Sequence, residues 1–149
     1  MISKILVPTD GSETARKAVE YAAGLAKQTN AAVILLSVID RSALVAQTIP
    51  AESSLTHLVQ PVEEYLEKAA AVYLEQAKKV CKKNGIKAAK VIRSGHPVEE
   101  IINEAEKSGA DLIVIGSHGR SAIASAVLGS VTFGIIHKDT KIPVLVVRR

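Results

Sequence analysis

Tryptophan is absent, and aromatic residues make up only 3% of the 149-residue chain: Tyr21, Tyr65, Tyr73 and Phe133. A core must therefore be packed from Val, Ile, Leu and Ala. A single-strand nucleic-acid groove, which needs aromatic stacking platforms, has few to draw on. There is one cysteine, Cys81, which excludes an internal disulfide and fits a reducing compartment. Long apolar runs are also missing; AAVILL is far too short to span a bilayer. The opening MISKILVPTD reaches Pro8 and Asp10 before any extended apolar stretch. No secretory leader is expected, and the cytoplasm is the expected location. Charge is not massed: 19 Lys and Arg against 15 Asp and Glu give a net charge of +4, spread along the chain. Neither nucleic acid nor membrane is an expected partner.

What remains is ordinary for a globular protein, with 48% hydrophobic and 23% charged residues, and residues 1–149 are expected to form one domain. Ile2 to Val7 reads as a buried strand ending at Pro8. Ser12 is placed to cap a helix whose apolar face is Ala15, Ala18, Val19, Ala22, Leu25 and Ala26, ending near Thr29 and Asn30. AAVILLSVID is a nearly continuous apolar strand, the pattern of a sheet covered on both faces. Residues 41–60 hold no long period. They form either a functional connection, such as a lid or contact surface, or a short helix of their own. Pro61 is expected to open the longest helix, with Val62, Leu66, Ala69, Tyr73, Ala77 and Val80 on its apolar stripe and Gly85 beyond its end. Cys81 flanks that stripe, either inert or activated by Lys78, Lys79, Lys82 and Lys83. Ala88 to Ile92 is a third strand. Pro97 begins a helix stopped by Gly109, DLIVIG is the fourth strand, Val131 to Lys138 is helical, and VLVV is the fifth strand. Strands alternating with helices define an α/β fold with an open parallel sheet between two helical layers. Ligands of such sheets bind outside the carboxyl ends of the strands.

The segment GSHGRSAIASAVLGSVT sits at that edge. Gly116 directly follows the fourth strand, Gly119 lies three residues on, and Gly129 with Ser130 begins the next helix. If residues 120–128 were a straight helix, the two small-residue clusters would stand roughly 15 Å apart and could not serve one ligand group. If those residues loop out and return, both clusters face one point. The amides of Ser130, Val131 and Thr132 would then meet an anion at a helix N-terminus. Glycine at 119 and 129 would let it approach the backbone, and the Ser130 and Thr132 hydroxyls could donate to it. Taken singly, Gly116 could serve only a positive φ and Ser130 only a cap. Asp10, on the same edge after the first strand, either contacts ligand or caps the following helix. His118 either touches phosphate or faces solvent, and Arg120 either reaches a terminal phosphate or is a solvated loop charge. His57, His96 and His137 show no metal-ligand spacing.

Gly116-x-x-Gly119, nine residues, then Gly129-Ser130 resembles the ATP-binding signature of the universal stress protein family. ILVPTDGSETARKAV, VILLSVID and PVLVV resemble that family's first, second and fifth strand regions, so the similarity covers nearly the whole chain. The resemblance implies the adenine nucleotide alpha hydrolase-like fold, a five-stranded sheet of order 3-2-1-4-5 that binds ATP, with ADP and AMP as alternatives. It places Pro8, Thr9 and Asp10 in the first-strand loop, with Asp10 near the ribose or a Mg²⁺ carried with the nucleotide. Val38 matches a backbone contact to adenine, and Ile115 and Gly116 line base and ribose. Gly119, Gly129, Ser130, Val131 and Thr132 match the phosphate contacts. A homodimer joined through the C-terminal strand is implied too, and an apolar edge strand independently invites pairing. The expected function is a nucleotide-dependent regulatory module with little or slow hydrolysis, because no catalytic base is evident beyond Asp10. The alternatives are an ATP-coupled enzyme of the same fold and a dimeric interaction protein with a vestigial pocket.

Overall fold

A computed structural model describes residues 1–41, 56–120 and 127–149, with the backbone alone described over 56–60. Five parallel strands, β1 (Lys4–Pro8), β2 (Ala32–Asp40), β3 (Ala88–Gly95), β4 (Leu112–Gly116) and β5 (Val144–Val147), form one sheet of order β3-β2-β1-β4-β5. Among the described residues four helices connect them: α1 (Glu13–Thr29), α2 (Thr56–Lys83), α3 (Pro97–Ser108) and α4 (Ser130–His137). The order matches the expectation. It reverses at β1, whose neighbours are β2 on one side and β4 on the other.

Strand alternation sends successive side chains to opposite faces, and β1 shows what this achieves. Ile5 and Val7 join one apolar cluster, with Ala18, Ala22 and Ala26 of α1 and Leu74, Ala77 and Cys81 of α2. Leu6 joins the other, with Val98, Ile101 and Ala105 of α3 and Ile135 of α4. Ile5, Leu6 and Val7 are wholly buried. Each contributes about 2 kcal/mol of burial free energy. The alanines of α1 let that helix lie close to the sheet, since an Ala face adds little side-chain bulk between backbones.

The helix boundaries follow their capping residues. Ser12 accepts a hydrogen bond from the Ala15 amide at 3.2 Å, and Asn30 closes α1 in the left-handed region at φ 59°. Pro97 stands in the first turn of α3, and Gly109 ends that helix at φ 71°. Gly85, at φ 72°, follows α2 as expected.

Three expectations are corrected. Helix α2 begins at Thr56 and carries Pro61 inside it; the ring's fixed φ is helical, and the chain before it winds despite the lost amide hydrogen bond and the crowding of the preceding turn. The most buried residues of α2 are Ala70, Leu74, Ala77 and Cys81, one column away from most of the expected stripe. The run Ala69, Ala70, Ala71 makes neighbouring columns equally apolar, so periodicity alone does not choose between them. Cys81 is therefore central rather than flanking. Burial pushes its thiol up to about 11, and the nearby lysines do not activate it. Strand β3 runs on to Gly95, pairing Arg93 and Ser94 with Val38 and Ile39. An edge strand accepts polar residues that a central strand would not.

Both edges of the sheet carry distinct chemistry. On β3, Lys90 pairs with Glu75 at 2.9 Å and Arg93 with Glu104 at 3.0 Å. On β5 the four residues are Val and Leu, all partly exposed. Among the described residues no helix is long and apolar enough to cross a membrane. The expectation of a lid or short helix over 41–60 falls largely on residues 42–55, outside the described residues.

Candidate functional site

A cleft of about 530 Å³ opens at the carboxyl edge, where β1 and β4 diverge. Its walls come from four places. The β1–α1 loop supplies Pro8, Thr9 and Asp10, and the end of β2 supplies Leu36, Val38 and Asp40. The end of β4 and its following turn supply Ile115, Gly116, His118 and Gly119. The start of α4 supplies Gly129, Ser130, Val131, Thr132 and Phe133, while Pro97 and Ile101 close the side toward α3. Every site residue expected from sequence lines this one cleft. Leu36, Asp40, Pro97, Ile101, Leu128 and Phe133 also line it and were not anticipated. Leu36 and Asp40 lay within the recognised second strand, on the same edge as Val38, and that placement was the available signal.

The two halves of the glycine segment converge. The Gly129 amide donates to the Ser117 carbonyl at 2.6 Å. A Cβ on Gly129 would stand 3.2 Å from the His118 Cα and 3.3 Å from the Gly119 nitrogen. The straight-rod arrangement, with its separation of roughly 15 Å, is thereby excluded. Residues 121–126, the body of the expected bulge, lie outside the described residues.

The glycines also have a packing reason within the protein. Gly116, Gly119 and Gly129 are not among the glycines with positive φ. A Cβ on Gly116 would meet the Thr14 carbonyl carbon and oxygen at 2.9 Å, and one on Gly119 would meet Asp10 Oδ2 at 2.7 Å. All three mark places where protein approaches protein. They bring the first turn of α1, the Asp10 loop and the start of α4 around one point.

At that point α4 presents its N-terminus. Gly129 is the N-cap residue at φ −68° and ψ 158°, and no side chain caps the helix. The first amides of a helix have no intrahelical partner and carry the positive end of its dipole. Ser130 is exposed beside them. The role expected of the Thr132 hydroxyl is corrected: it is buried and donates to the Gly116 carbonyl at 2.8 Å, so its proton is committed within the protein. His118 is buried rather than solvent-facing, with Nδ1 2.8 Å from the Ser117 hydroxyl, and Thr14 donates to its carbonyl at 2.6 Å.

Asp10 does not cap α1, because Ser12 does. One carboxylate oxygen accepts from the Ser12 amide at 2.9 Å, the other from the Arg120 amide at 3.0 Å. Arg120 is neither a free loop charge nor directed at the cleft. Its Nε donates to the Asp10 carbonyl at 2.7 Å, and its guanidinium lies 4.7 Å from the Tyr73 ring centroid.

The cleft is divided by chemistry. Leu36, Val38, Ile101, Ile115 and Pro97 make an apolar portion, and the uncapped helix end with Ser130 makes an anion-seeking one. A volume of 300–1,000 Å³ with few convergent polar groups is typical of small-molecule sites, so these residues fit a nucleoside phosphate. Among the described residues no cluster of three or more His, Cys, Asp or Glu could hold a metal ion. Asp10 and Asp40 are the carboxylates that line the cleft, so the chain fits a Mg²⁺ only as an ion whose remaining oxygens come from phosphate and water.

An open parallel sheet of this strand order, with its cleft at the reversal point, is the adenine nucleotide alpha hydrolase-like fold. The chain belongs to the universal stress protein family: the model of that family matches residues 1–148. Universal stress protein YxiE of Bacillus subtilis is 36% identical over 155 residues, covering 99% of this chain and 100% of the relative. Universal stress protein MJ0577 of Methanocaldococcus jannaschii is 38% identical over 157 residues, covering 100% of this chain and 96% of the relative. The solved structure of MJ0577 superposes with a TM-score of 0.84 over 100% of this chain and 97% of that one. A universal stress protein solved in complex with cAMP is 26% identical, with a TM-score of 0.69 over 99% of this chain and 97% of that one.

Proposed function

We propose that this protein binds an adenine nucleotide, ATP carried with Mg²⁺, and acts as a nucleotide-dependent regulatory module with little or slow hydrolysis. The observation that carries the reading is the meeting of Gly119 and Gly129 at the uncapped start of α4, in the same cleft as the apolar lining of Val38, Ile101 and Ile115. Phosphate oxygens take the helix amides and the Ser130 hydroxyl. The base lies against Val38 and Ile115, and Pro8, Thr9 and Asp10 border the ribose. The relative bound to cAMP supports an adenine nucleotide in a cleft of this fold. Slow hydrolysis follows from the side chains: the carboxylate of Asp10 is held by two backbone amides, Arg120 is turned to the protein, and neither is placed to activate a water.

The whole of residues 1–149 serves as one such unit in the cytoplasm, paired as a homodimer through β5. Its Val and Leu residues leave an apolar edge, in contrast to the charged, ion-paired edge of β3, and such an edge favours association with a second copy.

Titration of nucleotide-stripped protein with Mg-ATP tests the binding reading. Saturable heat at micromolar to low millimolar ATP is expected, and mass spectrometry of ligand released from freshly purified protein should find an adenine nucleotide. No binding at millimolar ATP would end it.

A further inference from the structure

We propose that Tyr73 and Arg120 are positioning residues for the cleft, forming a ring-and-guanidinium clasp that holds the Gly119 turn against the Asp10 loop. The functional consequence rests on the nucleotide-binding reading above; the clasp itself does not.

Three separate parts of the chain meet here. Arg120 projects from the turn after β4, and its guanidinium lies 4.7 Å from the centroid of Tyr73, on α2. The same guanidinium donates through Nε to the Asp10 carbonyl at 2.7 Å and through Nη2 to the Gly11 carbonyl at 3.4 Å. Its backbone amide donates to Asp10 Oδ2 at 3.0 Å. Gly11, at φ +77°, lies so close to the Tyr73 ring that a Cβ there would come within 2.3 Å of a ring carbon. Tyr73 thus supports both the loop that receives the hydrogen bonds and the side chain that gives them.

The chemistry selects these residue types. Only the flat, forked guanidinium can face an aromatic ring and reach two carbonyls at once; an ammonium on a flexible stem cannot reproduce that geometry. Of the tyrosine, the ring is the part in contact, so phenylalanine should replace it. Gly11 must be glycine twice over, for its left-handed backbone and for the ring beside it.

The clasp matters because Gly119 is joined to Arg120 and lies against Gly129. Holding Arg120 fixes one half of the anion cradle relative to the start of α4. Releasing it leaves that half free to drift, so the ordering cost falls on phosphate binding. The base, held by β2 and the end of β4, is unaffected.

Two measurements on full-length protein test this. The first is amide hydrogen exchange without ligand. Tyr73→Leu and Arg120→Ala should speed exchange at the Arg120 amide position, read as the amide of residue 120 in each variant, while Tyr73→Phe leaves it near wild type. The second is titration with adenosine, AMP and ATP. Tyr73→Leu and Arg120→Ala should weaken ATP about tenfold and leave adenosine within about twofold. Arg120→Lys should behave like Arg120→Ala, and Tyr73→Phe like wild type. Unchanged exchange in Arg120→Ala, or equal weakening of adenosine and ATP, would overturn the clasp. Wild-type protein that binds no adenine nucleotide would overturn the nucleotide reading, and the exchange data would still decide the clasp. Should Tyr73→Leu fail to fold, Arg120→Ala and Tyr73→Phe carry both tests.

Discussion

The Gly129 amide reaches back to the Ser117 carbonyl at 2.6 Å, binding the first residue before α4 to the turn that leaves β4. This bond makes one site out of two sequence clusters. It also explains why residue 129 has no side chain: the backbone atoms at 3.2–3.3 Å from a would-be Cβ belong to residues 117–119 and cannot swing aside.

Gly129→Ala is therefore expected to cost about 1–3 kcal/mol of stability, the usual penalty of forcing an extra carbon into a packed place. It should weaken ATP binding as well, because relief comes only by separating the two halves of the cradle. Denaturant unfolding and nucleotide titration of the same variant check both effects. Wild-type stability in Gly129→Ala would show that the approach is looser than described.

Thr132 and Ser130 differ in burial: the Thr132 hydroxyl is bonded within the protein, and Ser130 is exposed at the cleft. Thr132→Val removes the hydroxyl that donates to the Gly116 carbonyl at 2.8 Å and should destabilise by about 1–2 kcal/mol; Thr132→Ser should restore most of it. Ser130 is exposed, so Ser130→Ala should leave stability within about 0.5 kcal/mol and weaken ATP more than adenosine. The reverse pattern, a stability loss in Ser130→Ala with no loss of affinity, would exchange their roles.

Legibility in the sequence depended on whether a residue's role was local. The Ser12 cap, the Pro97 start and the Gly109 stop are decided within one helical turn, and each was readable. The sheet order was not a matter of periodicity; it came with the family signature, and the structure bears it out. Neighbouring columns of α2 were indistinguishable because Ala69, Ala70 and Ala71 are chemically equal, and only the sheet beneath chooses Ala70. The edge position of Asp10 was legible, since a residue after a strand lies at the carboxyl edge. Its hold on the Arg120 amide was not, because nothing local ties residue 10 to residue 120. The same holds for Thr132: a hydroxyl at a helix start reads as a donor to ligand until the Gly116 carbonyl is seen beside it.

Asp111 ties the front of β1 to the front of β4. Its carboxylate accepts from the Ser3 amide at 2.9 Å, the Ser3 hydroxyl at 2.7 Å and the Lys4 amide at 3.2 Å. Desolvation works to raise this carboxyl, but the Ser3 and Lys4 donors outweigh it and hold it below the ordinary aspartate range. A depressed folded value contributes stability that is complete above the unfolded value, roughly pH 4. That contribution is lost as pH falls through the folded one. Asp111→Asn should cost about 1 kcal/mol near pH 7, solvent screening included. The gap to wild type should close as pH falls below 4, where wild-type Asp111 takes up its proton. Urea unfolding of both proteins across pH 7 to 2 measures it; a gap that stays constant would assign the cost to packing rather than charge.

Cys81 offers a test of the core between α2 and the sheet. Its side chain is wholly buried among Leu74, Ala77 and the α1 alanines, and burial moves its thiol from 9.0 to about 11. Only the thiolate attacks a disulfide reagent, and at pH 8 a thiol with that value is ionised in roughly one molecule in a thousand. Native protein should therefore react with an aromatic disulfide no faster than it opens, and should react at once in denaturant. The sign for stability is the reverse of the Asp111 case. A raised folded value leaves stability intact below pH 9. As pH climbs from 9 toward 11 the unfolded chain ionises first and stability falls. Cys81→Ala should lose part of its packing energy at every pH but lack that alkaline decline. Rapid labelling of native protein at pH 8, at a rate independent of denaturant, would mean that α2 does not seal Cys81 against the sheet.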